Sequence, residues 1–513
     1  MLLKNLKKPY IIMKKGYIFM DIMIILLILI HIFISPYTKV EESMNLQAIH
    51  DIIFFGIRGE GLKNYDCVKF PGPVPRTFIG AILTASVVGP VVFIKNNLFN
   101  GISKSKVQYL VRGTLGIYNS LAIIIFRQKV IKYYGMNTGL WYGLFQASQF
   151  HIMYYASRTL PNMFAFGIYT IGVSYFIEKK RKDISKGLFI LTFTAVIFRF
   201  EIIILVITHS AYFLFHNKAI IKDVIKGSFL GGILGLISSM IVDSWFWREY
   251  FLWPEGVAFY FNIIKGKSSE WGVLAWHTYF SKYIPKLLLN PFFFILLGIA
   301  LLKRPKDTIN LLVPNILYVI IYSLQPHKEW RFIVYIIPSL TLAAAIGATW
   351  IYNRKYKSLV FMIAFLILII TVLMTFIASL SMSLISSLNY PGGWSLKAFH
   401  NLDLYEKEKV HLDVYTCMTG VSLFLCDNEK IIYDKTENKT ELNNYDFLKT
   451  IDWAISDASN FKLKGDWIIK DAISGYSGFE KVYFNNSIGI LAKLWYPRVK
   501  MEKKILILKS NKH

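Results

Sequence analysis

Long apolar runs separated by short basic ones carry this chain through residue 386. Tyr17–Ser35 contains one acid, Asp21, and is otherwise dominated by Ile, Leu, Phe and Met. At about 1.5 Å per helical residue it is long enough for a hydrocarbon core of about 30 Å. Further apolar runs follow at roughly 77–95, 107–127, 138–157, 160–178, 187–215, 226–246, 286–302, 309–325, 333–351 and 358–386. The pattern predicts an all-α polytopic membrane protein over 1–386. Beyond it, 387–513 mixes short β-type runs such as Val410–Tyr415 and Ile488–Leu491 with helical ones, which predicts a small α/β C-terminal domain.

Charge then orients the helices. Five lysines precede the first run (Lys4, Lys7, Lys8, Lys14 and Lys15), so the N-terminus is expected in the cytoplasm and the loop 36–76 on the opposite, lumenal face. The formal charge of +26 gathers in loops such as Lys179–Lys182, Lys303–Lys306 and Arg354–Lys357. It is therefore read as orienting charge beside membrane lipid, and nucleic-acid binding is set aside. Basic residues on both sides of 107–127 and of 187–215 suggest that these two segments are re-entrant hairpins of short helices, giving about 11–13 transmembrane or re-entrant helices. Arg112 lies inside the first, Arg199 and Glu201 inside the second. Ions in such places face a cavity or pair with each other to hold helices.

Three lumenal loops follow from this topology: 36–76, 247–285 and 326–332. In the first, Leu46, Ile49 and Ile53 recur at helical spacing, which predicts an amphipathic helix on the membrane surface over 45–55. The C-terminal domain is expected to be lumenal as well, with acceptor motifs at Asn438 and Asn485. Cys417 and Cys426 are near each other in sequence, which leaves a disulfide open; Cys67 stands apart.

The chemistry-bearing residues sit in those loops. Glu41 and Glu42 follow the first crossing, as a general-base pair or as two acids at a helix N-terminus, where the dipole favours them. Pro326-His327-Lys328-Glu329-Trp330-Arg331-Phe332 places four ionisable groups within five residues. Arg331 offers a planar fork and Lys328 a point charge for a phosphate, although a solvated loop would read similarly. The loop 247–285 adds Glu255, Lys267 and His277 among Trp and Tyr residues, which can stack on sugars or form an interfacial belt.

His327-Lys328-Glu329-x-Arg331-Phe332 resembles the signature of the endoplasmic-reticulum mannosyltransferases that use dolichyl-phosphate-mannose, a family within the GT-C superfamily. Most members have His-Pro-Asp-Glu in the first lumenal loop, where this chain has Lys39-Val40-Glu41-Glu42. That departure, with Phe70-Pro71-Gly72-x-Val74-Pro75-Arg76-Thr77, resembles the members that form an α-1,6 linkage. Similar motifs continue in order at Gln149–His151, Ser157-Arg158-Thr159-Leu160-Pro161-Asn162, Asp243–Trp247, Trp253–Gly256, Lys267–Gly272, Tyr390–Gly393 and His411–Val414, so the resemblance spans nearly the whole chain.

The resemblance implies an inverting transfer of mannose from dolichyl-phosphate-mannose to a dolichyl-diphosphate-linked heptamannosyl oligosaccharide in the endoplasmic-reticulum membrane. Glu41, aligned with the family's Asp, would be the base; Glu42 would hold a neighbouring basic group. His327, Lys328 and Arg331 would stabilise the departing phosphate. Arg158, Arg199, Glu201, Glu255, Lys267, His277 and Glu329 are supporting candidates. No Asp-x-Asp motif occurs, and neither a metal, a cofactor nor an obligate protein partner is expected. An α-1,2-transferring member is the nearest alternative. A polytopic lipid transporter would share the apolar pattern, but the two-fold internal repeat common in transporters is not found.

Overall fold

The computed structural model describes residues 2–178, 180–442, 444–459, 465–483 and 495–511; the expected strand Ile488–Leu491 and the acceptor Asn485 lie outside them. The chain forms two compact units: Met1–Phe33, Asp51–Pro90 and Val111–Leu380 in one, and Ile34–His50, Val91–Leu110 and Ser381–His513 in the other. Among the described residues, five helices are long and apolar enough to cross a membrane: Ile79–Leu98, Lys104–Tyr134, Ile221–Trp247, Trp330–Tyr352 and Leu359–Ser387. A sixth forms if Tyr279–Leu288 and Phe292–Lys303, bent by 97°, are one span. The protein is thus a multi-span membrane protein. Other apolar runs become shorter helices, such as Met136–Ser148, Phe150–Tyr155 and Pro161–Ser174.

The two expected hairpins differ. Residues 187–215 do break, between the helices Arg181–Ile197 and Ile202–Phe215. The break is supported from outside: Glu255 accepts the Phe200 N–H at 2.8 Å, and the Trp253 indole donates to the Val196 carbonyl at 2.9 Å. Backbone groups freed by a break must find such partners away from water. Residues 107–127 do not break. They lie within one helix, Lys104–Tyr134, of 31 residues, about 46 Å long. Its ends are too far apart to share a membrane face, so the Lys95–Lys106 and Arg127–Lys132 groups cannot both be cytoplasmic. The helix stays continuous because its buried polar residues are partnered. Arg112 donates to Ser157 at 3.3 Å, Asn119 to the Ala156 carbonyl at 2.7 Å, and Arg127 pairs with Asp21 at 3.1 Å.

The helix expected over 45–55 begins earlier, at Val40, and does not have a water-facing polar side. Glu42, Asn45, Gln47, His50 and Asp51 are all buried. The side chains are engaged: Gln47 accepts the Leu423 N–H at 3.1 Å and Asp51 the Asp66 N–H at 2.7 Å.

The C-terminal region folds as the expected α/β domain, around a mixed sheet of order β2-β1-β3-β5-β4. Its strands are β1 (Lys409–Leu412), β2 (Ile432–Asp434), β3 (Trp453–Asp457), β4 (Trp467–Tyr483) and β5 (Trp495–Ser510). The first three are mutually parallel, and β5 runs antiparallel between β3 and β4. Leu396, Phe399, Val410, Trp453, Ile455 and Ile507 form its core. Among the described residues no disulfide joins Cys67, Cys417 or Cys426.

Candidate active site

In the unit that includes the sheet, Pro36–Glu42 is held at several points. The Gln108 amide donates to the Pro36 carbonyl at 2.9 Å, and its oxygen accepts from Ser422 at 2.6 Å. The Tyr37 ring stands edge-on to Trp394, centroids 5.1 Å apart, and lies against Gly393, where a Cβ would come within 2.3 Å of the ring. The Tyr390-Pro391-Gly392-Gly393 motif thereby admits Tyr37. The two acids then separate. Glu42, buried, accepts the Lys39 backbone N–H at 3.2 Å, as the third residue of a capping box does. Glu41 is exposed in the first helical turn.

The other unit gathers the remaining charges. His327, Glu329 and Arg331 form a chain through one oxygen: His327 Nε2 lies 3.0 Å and the Arg331 guanidinium 2.6 Å from Glu329 Oε1. Burial disfavours the Glu329 carboxylate, but Arg331 and His327 outweigh it and hold the pKa below its ordinary value. Among the described residues the Arg331 Nε has no hydrogen-bond partner. Lys328 is buried and donates to the Gln325 and Leu274 carbonyls at 2.6 and 3.1 Å. It pins the 272–274 segment to this loop and leaves one N–H for other use.

Arg199 and Glu201, from the break after Ile197, pair at 2.8 Å. Asn162 bridges them to the loop: its amide is 3.0 Å from Glu201 Oε1, 2.9 Å from the Tyr335 hydroxyl and 3.2 Å from the Arg331 carbonyl. The Arg199 and Arg331 guanidiniums lie 5.5 and 5.8 Å from the Phe332 ring centroid. Arg76 joins them from the segment before Ile79, its guanidinium 3.6 Å from Glu255. Asp243 sets that segment by accepting the Phe78 N–H at 2.7 Å, and Trp247 donates to the Arg76 carbonyl at 2.9 Å. Burial raises the Glu255 pKa to about 6 despite Arg199 and Arg76. Arg76 in turn feels the positive fields of Arg199 and Arg331. Three guanidiniums so close are suited to a phosphate, with Glu201, Glu255 and Glu329 setting their positions.

The Alg9-like mannosyltransferase family model matches residues 18–415. The chain belongs to that family. A relative in Saccharomyces cerevisiae, named Dol-P-Man:Man(7)GlcNAc(2)-PP-Dol alpha-1,6-mannosyltransferase, is 32% identical over 503 residues, covering 91% of this chain and 90% of the relative. The Arabidopsis thaliana protein of the same name is 34% identical, covering 82% of this chain and 83% of the relative. In fold, the chain is similar to crystalline ArnT from Cupriavidus metallidurans bound to undecaprenyl phosphate, with a TM-score of 0.54 at 10% identity, covering 86% of this chain and 93% of that one. The architecture is of GT-C type.

Within this Alg9-like chain the expected supporting residues divide. Arg199, Glu201, Glu255 and Glu329 join the arginine cluster. Arg158 is fully buried and instead stacks on Tyr154, 4.2 Å from the ring centroid, with a 2.5 Å hydrogen bond to its hydroxyl. Lys267 pairs with Glu270 on the surface, and His277 lies 3.0 Å from Ser281; among the described residues neither hydrogen-bonds or ion-pairs with the cluster. Arg76, Asn162 and Asp243 were not singled out for a role. Their signal was membership in the quoted motifs.

Proposed function

We propose that this protein transfers mannose from dolichyl-phosphate-mannose to Man(7)GlcNAc(2)-PP-dolichol, forming an α-1,6 linkage. The observation that carries the proposal is the match, over most of both chains, to the Saccharomyces cerevisiae relative of that name, 32% identical over 91% of this chain. A β-linked phosphate donor and an α-linked product require one inversion, hence one base and one means of stabilising the departing phosphate. Glu41 is assigned the base, since it is the exposed member of the acidic pair. Arg331, with His327 beside it, is assigned the phosphate; Arg199 and Arg76 add positive field. Lys328 serves mainly to hold the loop. Because guanidinium groups meet the leaving charge, the proposal assigns no metal, and a chelator should leave turnover unchanged.

The protein's place is the endoplasmic-reticulum membrane, with this chemistry on the lumenal face. The test of the function is to supply membranes with dolichyl-phosphate-mannose and lipid-linked oligosaccharides of graded length. Extension of the heptamannosyl acceptor alone is expected; extension only of shorter acceptors would contradict the proposal.

A further inference from the structure

The helices Arg181–Ile197 and Ile221–Trp247 pack backbone to backbone: a Cβ at Gly231 would stand 2.3 Å from the Phe189 carbonyl oxygen. At their N-terminal ends this contact opens into a cavity of about 350 Å³, lined by Tyr175, Lys186, Phe189, Ile190, Lys226 and Leu230 among others. Its floor is apolar. Its rim carries two exposed lysines, one from each helix.

Three neighbouring lysines share one carboxylate. Glu178 takes Lys129 at 2.5 Å, Lys180 at 3.6 Å and Lys132 at 3.7 Å. Among the described residues, Lys186 and Lys226 have no carboxylate partner; Lys186 lies 5.8 Å from the Tyr175 ring centroid. Below them, Phe229, Leu230, Ile233, Ile237 and Ile241 of the second helix are exposed and apolar, as a lipid-facing surface requires. A basic rim over an apolar cleft between membrane helices matches an anionic lipid: phosphate above, acyl chain below.

We propose that this cavity binds an anionic phospholipid of the adjacent leaflet, its headgroup phosphate between Lys186 and Lys226 and one acyl chain along Phe189, Ile190 and Leu230. The lipid ties together the first three turns of two helices, of which one leads at its other end to Arg199 and the other carries Asp243. The site is separate from the arginine cluster and does not depend on the reaction assigned to it.

The test uses the full chain purified in detergent, titrated with phosphatidylserine or phosphatidylcholine, with retained lipid read by native mass spectrometry. Selective retention of phosphatidylserine is expected. A lysine near a membrane surface contributes about fivefold to affinity for an anionic headgroup, so Lys186→Gln with Lys226→Gln should weaken retention about thirtyfold. Lys222→Gln, on the same helix but outside the cavity, should leave it unchanged, and Leu230→Trp should block it while both lysines remain. Equal retention of the two lipids would overturn the proposal. So would wild-type retention in the double variant, a loss in Lys222→Gln equal to that in the double variant, or displacement of the lipid by equimolar inorganic phosphate.

Discussion

The backbone N–H of Lys39 donates to the Glu42 carboxylate across 3.2 Å, closing the first turn of the helix Val40–Phe55. Glu41, one residue earlier, is left exposed. Adjacent acids of the same chemistry thus have different work: one shapes the chain, the other is available to a substrate hydroxyl.

Glu41→Gln should therefore lower turnover by at least about a hundredfold, the scale of general-base catalysis, with little change in thermal stability or acceptor binding. Glu42→Gln keeps an oxygen for the Lys39 N–H and should retain much more turnover. The reverse order in single-turnover assays would move the base to Glu42.

Arg331→Lys should reduce kcat/KM by about tenfold or more although charge is conserved. An ammonium cannot reproduce a forked contact with phosphate, whereas the guanidinium bonds Glu329 through one nitrogen and keeps its Nε without a hydrogen-bond partner among the described residues. Unchanged kcat/KM across a donor titration would make the His327–Arg331 loop purely structural.

The Arg199–Glu201 pair was legible in the sequence because its members are two residues apart; that Glu329 takes both His327 and Arg331 was not, although they are equally near in sequence. Asn162 reaches Arg331 across 169 positions, and Asp243 reaches Phe78 across 165. Periodicity and local charge contain nothing about such meetings. The α/β domain announced itself through short β-rich runs, and the hairpin at 187–215 through the basic residues on both its sides. The charge rule failed at Lys104–Tyr134 because Arg112 and Arg127 find partners elsewhere in the chain, Ser157 in a turn and Asp21 on the first helix. It likewise could not reveal that Lys328 spends its ammonium on two carbonyls.

Glu255 should leave a pH signature. Burial raises its pKa from 4.5 to about 6, so folding favours the protonated form. Its contribution is complete below the unfolded value and is lost as pH rises through the folded one. Glu255→Gln removes that titration. The thermal midpoint of the wild type relative to the variant should fall as pH rises from about 4.5 to about 6; a flat difference would mean that Glu255 is not buried beside Arg76 and Arg199.

Topology can be mapped with glycan acceptors. Asn438 is exposed in the C-terminal domain, and an acceptor engineered near Gly61 would lie in the first loop. Both should be glycosylated in sealed microsomes, while one inserted at Lys182 should not. Modification at Lys182 would put the basic loops in the lumen and remove the lumenal chemistry proposed above.

The most direct measurement is the linkage of the mannose added when purified protein is given dolichyl-phosphate-mannose and Man(7)GlcNAc(2)-PP-dolichol. NMR of the released octamannosyl glycan should show one new α-1,6-linked residue, formed by the wild type and nearly absent with Glu41→Gln. A new α-1,2 linkage, or no extension of this acceptor by active protein, would contradict the account.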